Sequence, residues 1–292
     1  LFLSSVFYSV GSVILLLAFG FTGIFIGLLV SNKEKDHLAF SFLDNPKKSF
    51  FSVFLLVIFM IITAVAGFKY AERVASVPYF RQALADTTID EAQLSIEKAL
   101  VLYQNDLYLR TYAQVYLTKI NTLILKDSTT WAEEDKVTLQ NSFNQAIKGA
   151  ELAINYDNTN YLNYNSLGNI YSTVAVLGVE GAHEKASEAY TKSSQLNPLN
   201  PGIKLALASV ALSNKNIEEA RTFTQQALDL KADYLDALVT MAQVEKSAGN
   251  KTLALSYAER ALFLVPDNQE LKNYVNSLRS ELSNSSTSTS TR

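Results

Sequence analysis

Asn165 and Asn169 stand four residues apart, so a helix places both side-chain amides on one face. A primary amide both donates and accepts hydrogen bonds, which suits it to the backbone of an extended peptide. Tyr108 and Tyr112 share that spacing and offer apolar area with a polar tip. Covalent and metal chemistry find poorer material. The chain of 292 residues has no cysteine, and its two histidines, His37 and His183, lie far apart. Disulfides and thiolate sites are thereby excluded, and a zinc site built on paired histidines is not expected. Glu180, His183 and Glu184 are potential ligands at a spacing that matches no zinc motif. Glu133, Glu134 and Asp135 form an acidic run that reads as a solvated loop, because no fixed second ligand set accompanies it. The sequence contains no Ser-His-Asp pattern, no glycine-rich phosphate loop and no basic nucleic-acid patch. No catalytic residue, metal, cofactor or nucleic-acid partner is therefore expected. A net charge of −3 is near balance, so a polyanionic partner is not implied.

The elements that must position these residues are legible from a repeat. Residues 201–234 and 235–268 form two units in one register, with Ala220 recurring as Ala254, Ala227 as Ala261 and Ala232 as Pro266. Small residues occupy one phase of the period and aliphatic residues another, with two helical patterns per period. That is the mark of stacked helix–turn–helix units, which are more often a surface for holding something than a pocket for chemistry. Asn214–Asn216 and Gly249–Asn250 read as turns between helices, while Pro198 and Pro266 end second helices. The register extends backwards through units at 161–200, 107–160 and 73–106, and forwards into a capping helix at 269–282. The unit at 161–200 carries six extra residues around Val176–Ala182, and the unit at 107–160 about 20 around Asp127–Asp135. Trp131, the only tryptophan, is expected to pin that second insertion to the stack. The serine- and threonine-rich tail at 283–292 has little to bury and reads as disordered.

Within 161–200, Tyr164, Leu167, Gly168, Tyr171, Ala186, Tyr190 and Pro198 spell Y-x-x-L-G-x-x-Y…A-x-x-x-Y…P. This resembles the tetratricopeptide repeat, most strongly over 161–268 and more loosely over 73–282. The resemblance implies an all-α solenoid whose first helices line a concave face that holds a protein or peptide. Mapped by phase, that face takes Tyr108, Thr111, Tyr112 and Val115 in the second unit, and Asn165, Asn169 and Thr173 in the third. Ser209 follows in the fourth unit, and Thr240, Gln243 and Lys246 in the fifth. The family's carboxylate-clamp version needs a cation beside such asparagines, and Lys204 is the nearby candidate, one position off phase.

Residues 1–72 read as a membrane domain. Two uncharged runs, at about 10–30 and 50–68, match the roughly 20 residues that cross a bilayer core. Gly23 and Gly27 form a small-xxx-small pair that would admit another transmembrane helix. The intervening loop at 31–49 carries Lys33, Lys35, Lys47 and Lys48, against no cation before the first run and Lys69, Arg73 and Arg81 after the second. The positive-inside rule places that loop in the cytoplasm and the repeats on the extracytoplasmic side. The chain opens at Leu1 inside an apolar run, without a charged n-region or a cleavage site. A signal peptide is a poor reading of it, and a piece of a longer protein is expected.

Two readings of function follow. One is a multi-pass inner-membrane anchor whose repeats gather partner proteins outside the cytoplasm. The other rests on layout: terminal spans followed by repeats resemble bacterial O-antigen ligase or polymerase-like membrane proteins with tetratricopeptide tails. That resemblance implies an enzyme whose catalytic loops lie upstream of Leu1.

Overall fold

A computed structural model describes residues 20–25, 27, 46–126 and 130–289. All secondary structure among them is helical. The chain divides into two compact units, Leu1–Phe68 and Lys69–Arg292. The first predicted span lies outside the described residues except for 20–25 and 27, which are helical. The loop through residue 45, including His37, also lies outside them.

The second apolar run lies in α1 (Pro46–Ala85), 40 residues long. Among the described residues it is the one helix long and apolar enough to cross a membrane, and none of its most apolar stretch is covered by protein. Phe50, Phe59 and Phe68 are 73%, 67% and 63% exposed. The two predicted spans are thus represented by one candidate helix among the described residues.

Beyond Phe68, the rest of α1 is followed by α2 (Ile89–Leu102), α3 (Asp106–Ile124), α4 (Glu133–Tyr156), α5 (Tyr161–Ala175) and α6 (Ala182–Leu196). Then come α7 (Pro201–Ser213), α8 (Ile217–Leu230), α9 (Leu235–Ser247), α10 (Lys251–Leu264) and α11 (Gln269–Thr289). The most extensive contacts join α3 to α4, α5 to α6, α7 to α8 and α9 to α10. Each hairpin also touches the next, and α11 packs on α10.

Local chemistry sets these bounds. Asn105, Asn160 and Asn200 precede α3, α5 and α7, and each side chain accepts a backbone N–H of the first turn. This satisfies one of the donors that a helix start leaves unpaired. Lys215 and Gly249 both adopt left-handed backbone, at φ 61° and 83°, after α7 and α9. Asn216 N–H then reaches back to Ala211 O, and Asn250 N–H to Glu245 O, each at 2.8 Å. These are six-to-one closures that cap spent carbonyls.

The extra length of the second unit mostly extends its helices. α3 and α4 run 19 and 24 residues, against 15 each for α5 and α6. The added turns are held by apolar contacts: Leu123 is buried, and Ile124, Leu139 and Phe143 pack at the hairpin core. The acidic run Glu133–Asp135 is therefore the first turn of α4, not a loop. Carboxylates there meet the positive end of the helix dipole. Asp135 also accepts the Ala132 N–H at 3.1 Å and pairs with Lys126. Trp131 is half-buried, and its indole N–H donates to the Lys126 carbonyl within the same insertion. At the far end α11 buries Leu271, Val275 and Leu278 against α9 and α10, covering the last hairpin. α11 runs to Thr289, past the Leu282 boundary read for the cap, and neither proline nor glycine interrupts it.

The hairpins pack closely because one partner at each contact is small. A Cβ added at Gly168 would stand 2.7 Å from the Tyr190 ring, and one added at Gly149 would stand 2.8 Å from Tyr112. Ala208 and Ala242, both fully buried, stand in the place of Gly168 in the last two hairpins, and Ala220, Ala227, Ala254 and Ala261 are fully buried on their second helices. Gly168→Leu should therefore lower folding stability by about 1–3 kcal/mol through overpacking. Thermal or denaturant unfolding followed by circular dichroism checks this; an unchanged midpoint would refute the contact.

Candidate functional site

Subtraction defines a candidate surface. On α5, Ile170 and Val174 are buried toward α3 and α4, while Gly168 and Tyr171 turn to α6. Asn165, Asn169 and Thr173 remain on the other side, each half-buried. On α7, Ile203, Leu207 and Val210 face the preceding hairpin and leave Ser209 exposed. On α9, Ala237, Leu238 and Met241 are buried and leave Thr240 and Gln243 accessible. The first helices thus share a polar face.

The residues on that face differ in how free they are. Asn165, Thr173, Thr240 and Gln243 make no side-chain hydrogen bond among the described residues. Asn169 Oδ1 accepts the Tyr190 hydroxyl at 2.6 Å, which leaves its amide N–H groups to donate. Ser209 Oγ donates to Leu205 O at 3.0 Å within its own helix. Lys246 Nζ pairs with Glu281 at 2.9 Å and lies 5.7 Å from the Tyr274 ring centre, so it is committed to α11. Lys204 is half-buried and makes no ion pair among the described residues.

Two tyrosines mapped to this face are elsewhere. Tyr108 is 5% exposed, stacks on Phe80 at 4.2 Å between centroids, and lies 3.3 Å from Ser76 Oγ. Tyr112 packs over Gly149 and donates its hydroxyl to Gln145 Oε1 at 2.8 Å. Both belong to helix contacts, and burial pushes the Tyr112 phenol above its ordinary pKa. Thr111 is half-buried, with Oγ1 donating to Leu107 O, and Val115 is half-buried beside Tyr108.

The cause is a slip in phase, of two residues at Tyr108 and Tyr112 and of one at Thr111 and Val115. Tyr112-Ala113-x-x-Tyr116 in α3 occupies the place of Leu167-Gly168-x-x-Tyr171 in α5. Asn165, Asn169 and Thr173 therefore correspond to Arg110, Gln114 and Thr118. Gln114 and Thr118 are indeed exposed. The repeated small-x-x-Tyr pattern was the signal that could have found them.

Two polar clamps fix neighbouring hairpins against each other. At the junction of α4 and α5, fully buried Asn163 donates to Ala153 O and Asp157 O at 2.9 and 2.6 Å, tying off the carbonyl end of α4. Its Oδ1 accepts from Arg110, which also bonds Asp106 at 2.7 Å. Asn160 donates to the same Asp106 carboxylate. Burial would raise the Asp106 pKa, but the hydrogen bonds from Arg110 and Asn160, with the Arg110 charge, outweigh it and hold it below the ordinary value. At the junction of α8 and α9, Arg221 forks onto Glu245 at 2.6 and 3.3 Å. The Glu245 side chain is 5% exposed, and its second oxygen also accepts from Asn250 at 2.7 Å. The Arg221 hydrogen bond is the main reason that Glu245 stays below its ordinary pKa of 4.5.

A cleft of about 470 Å³ opens between α9 and α11, with Asp236, Val239, Thr240, Gln243, Glu270 and Tyr274 in its wall. A second, of about 660 Å³, lies among α4, α5 and α6, where Tyr164, Leu167 and Tyr171 meet Lys185 and Glu188. His183 and Glu184 line a smaller hollow with Glu219. Among the described residues no three ligating side chains converge as a metal site would need.

No family model matches the sequence, and no curated protein matches it. Among solved structures, the chain is similar to a thermophilic TPR protein of Thermus thermophilus, at 19% identity and a TM-score of 0.50, over 72% of this chain and 98% of that one. It is also similar to YrrB, described as a TPR protein with an unusual peptide-binding site, at 14% identity and a TM-score of 0.46, over 69% and 92% of the two chains. The protein MamA is similar at 16% identity and a TM-score of 0.46, over 64% and 90%. The Thermus likeness shows the fold, a solenoid of tetratricopeptide type.

Glu245→Gln removes the charge from a buried pair and should cost about 1–3 kcal/mol at neutral pH. The Glu245 pKa is depressed by folding, so its contribution is complete above 4.5 and is lost as pH falls through the folded-state value. The stability gap between the parent and the variant should therefore close on acidification below pH 4.5. Denaturant titrations across that range measure it, and a gap independent of pH would contradict the assignment.

Proposed function

We propose that this chain is a membrane-anchored scaffold whose repeats bind peptide segments of partner proteins at the extracytoplasmic face of a bacterial inner membrane. The observation that carries the reading is the shared face of the first helices. It presents half-buried or exposed amides and hydroxyls, from Asn165 and Thr173 through Thr240 and Gln243, with no internal partner among the described residues. Such groups can bond the backbone of an extended chain without first breaking a bond of their own. Proteins of this fold offer a long surface made of small, similar contributions, which suits the holding of a segment.

The anchoring reading rests on α1. Its uncovered aromatic and aliphatic side chains lose contact with water if lipid surrounds them, and a helix keeps its backbone groups paired within the bilayer. Orientation rests on the lysines at 33, 35, 47 and 48, an excess that belongs on the cytoplasmic side. Loss of those lysines should weaken the topology.

An alkaline phosphatase fusion after Leu282 should be active, and one at Asp44 inactive. The reverse pattern would put the repeats in the cytoplasm. It would also end the parallel with O-antigen ligase-like proteins, whose chemistry takes place on the outer face.

A further inference from the structure

The cleft between α9 and α11 has a marked charge. The charged residues in its wall are Asp236 and Glu270, both acidic. Both are exposed, and neither forms an ion pair or side-chain hydrogen bond among the described residues. Each stands in the first turn of its helix, where the helix dipole supplies roughly half a positive charge. Two full negative charges against two halves leave the cleft net negative. Its wall also carries apolar Val239 and Leu271 and polar Thr240 and Gln243. Tyr274 also lines this wall; its hydroxyl oxygen is buried and has no hydrogen-bond partner among the described residues.

We infer that this cleft selects a partner segment carrying an arginine or lysine side chain. The inference rests on the peptide-binding reading above and names the chemistry of the peptide. The cationic head sits between Asp236 and Glu270. Its methylene stem lies along Val239 and Leu271, as long basic side chains do when they cover apolar surface. Thr240 and Gln243 bond the adjoining backbone. This is the opposite charge preference to a carboxylate-reading groove. It also explains why the one nearby cation on α9, Lys246, is withdrawn: Glu281 holds it against Tyr274, outside the cleft wall.

The test uses the full chain in neutral detergent micelles. Three pools of short fluorescent peptides are offered, random except for a fixed central arginine, glutamate or leucine. The arginine pool should bind tightest. The double variant Asp236→Asn with Glu270→Gln should weaken that pool roughly tenfold and leave the leucine pool unchanged. Asp236→Lys should shift preference to the glutamate pool. Both positions are exposed, so these variants do not disturb the packed hairpins. Preference of the parent for the glutamate pool, or indifference of the arginine pool to the double variant, overturns the inference. If all pools bind alike and lose affinity in Asn165→Ala with Thr173→Ala, the charge selection falls while the peptide-binding reading stands. If no pool binds, both fall.

Discussion

Close approach between paired helices is the constraint on which the repeat stack depends. Two helices meet at short range only where one side chain at the crossing is small. Gly168 accepts the Tyr190 ring, Gly149 accepts Tyr112, and buried alanines serve the later hairpins. These contacts set the orientation of each second helix against its first. That orientation in turn decides which residues of α5, α7 and α9 are buried and which stay available. The polar face is therefore a by-product of core geometry. Its chemistry is carried by the positions the core does not claim.

The two buried polar clamps act at a different level. Hydrophobic contacts between hairpins tolerate small rotations, whereas a forked guanidinium–carboxylate pair does not. Arg221 with Glu245, and Arg110 with Asp106 and Asn163, stand at junctions between successive hairpins. They fix how one hairpin follows another, and hence the spacing of the amides and hydroxyls along the shared face. Asn163 does two things there, since it also closes the carbonyl end of α4.

Much of this was readable from residue types. The recurrence of Ala220 as Ala254 and of Ala227 as Ala261 marked positions that are all fully buried. The proline and asparagine signals fell at helix ends, because those residues act through their own backbone and nearest neighbours. The reading failed where the period was broken. In the second unit the insertion removes the ruler, the phase slips by two residues at the tyrosines, and Tyr108 and Tyr112 read as open-face residues although they pack inward. The buried carboxylate of Glu245 and the role of Asn163 were not legible at all. A charged or amide residue at a seam looks like any surface residue until its distant partners are known.

The alternation of size in the second and third hairpins carries a consequence for assembly. In α3/α4 the large ring is on the first helix and the glycine on the second; in α5/α6 the order is reversed. A mispaired hairpin of α3 with α6 would bring Ala113, the counterpart of Gly168, against Tyr190, where a Cβ stands only 2.7 Å from the ring. A hairpin of α5 with α4 would set Leu167, the counterpart of Tyr112, over Gly149 in place of the aromatic ring. Repeat arrays are prone to exchange between similar neighbours while they fold. Each of these hairpins is matched in volume to its own partner, which disfavours exchange between the two neighbours.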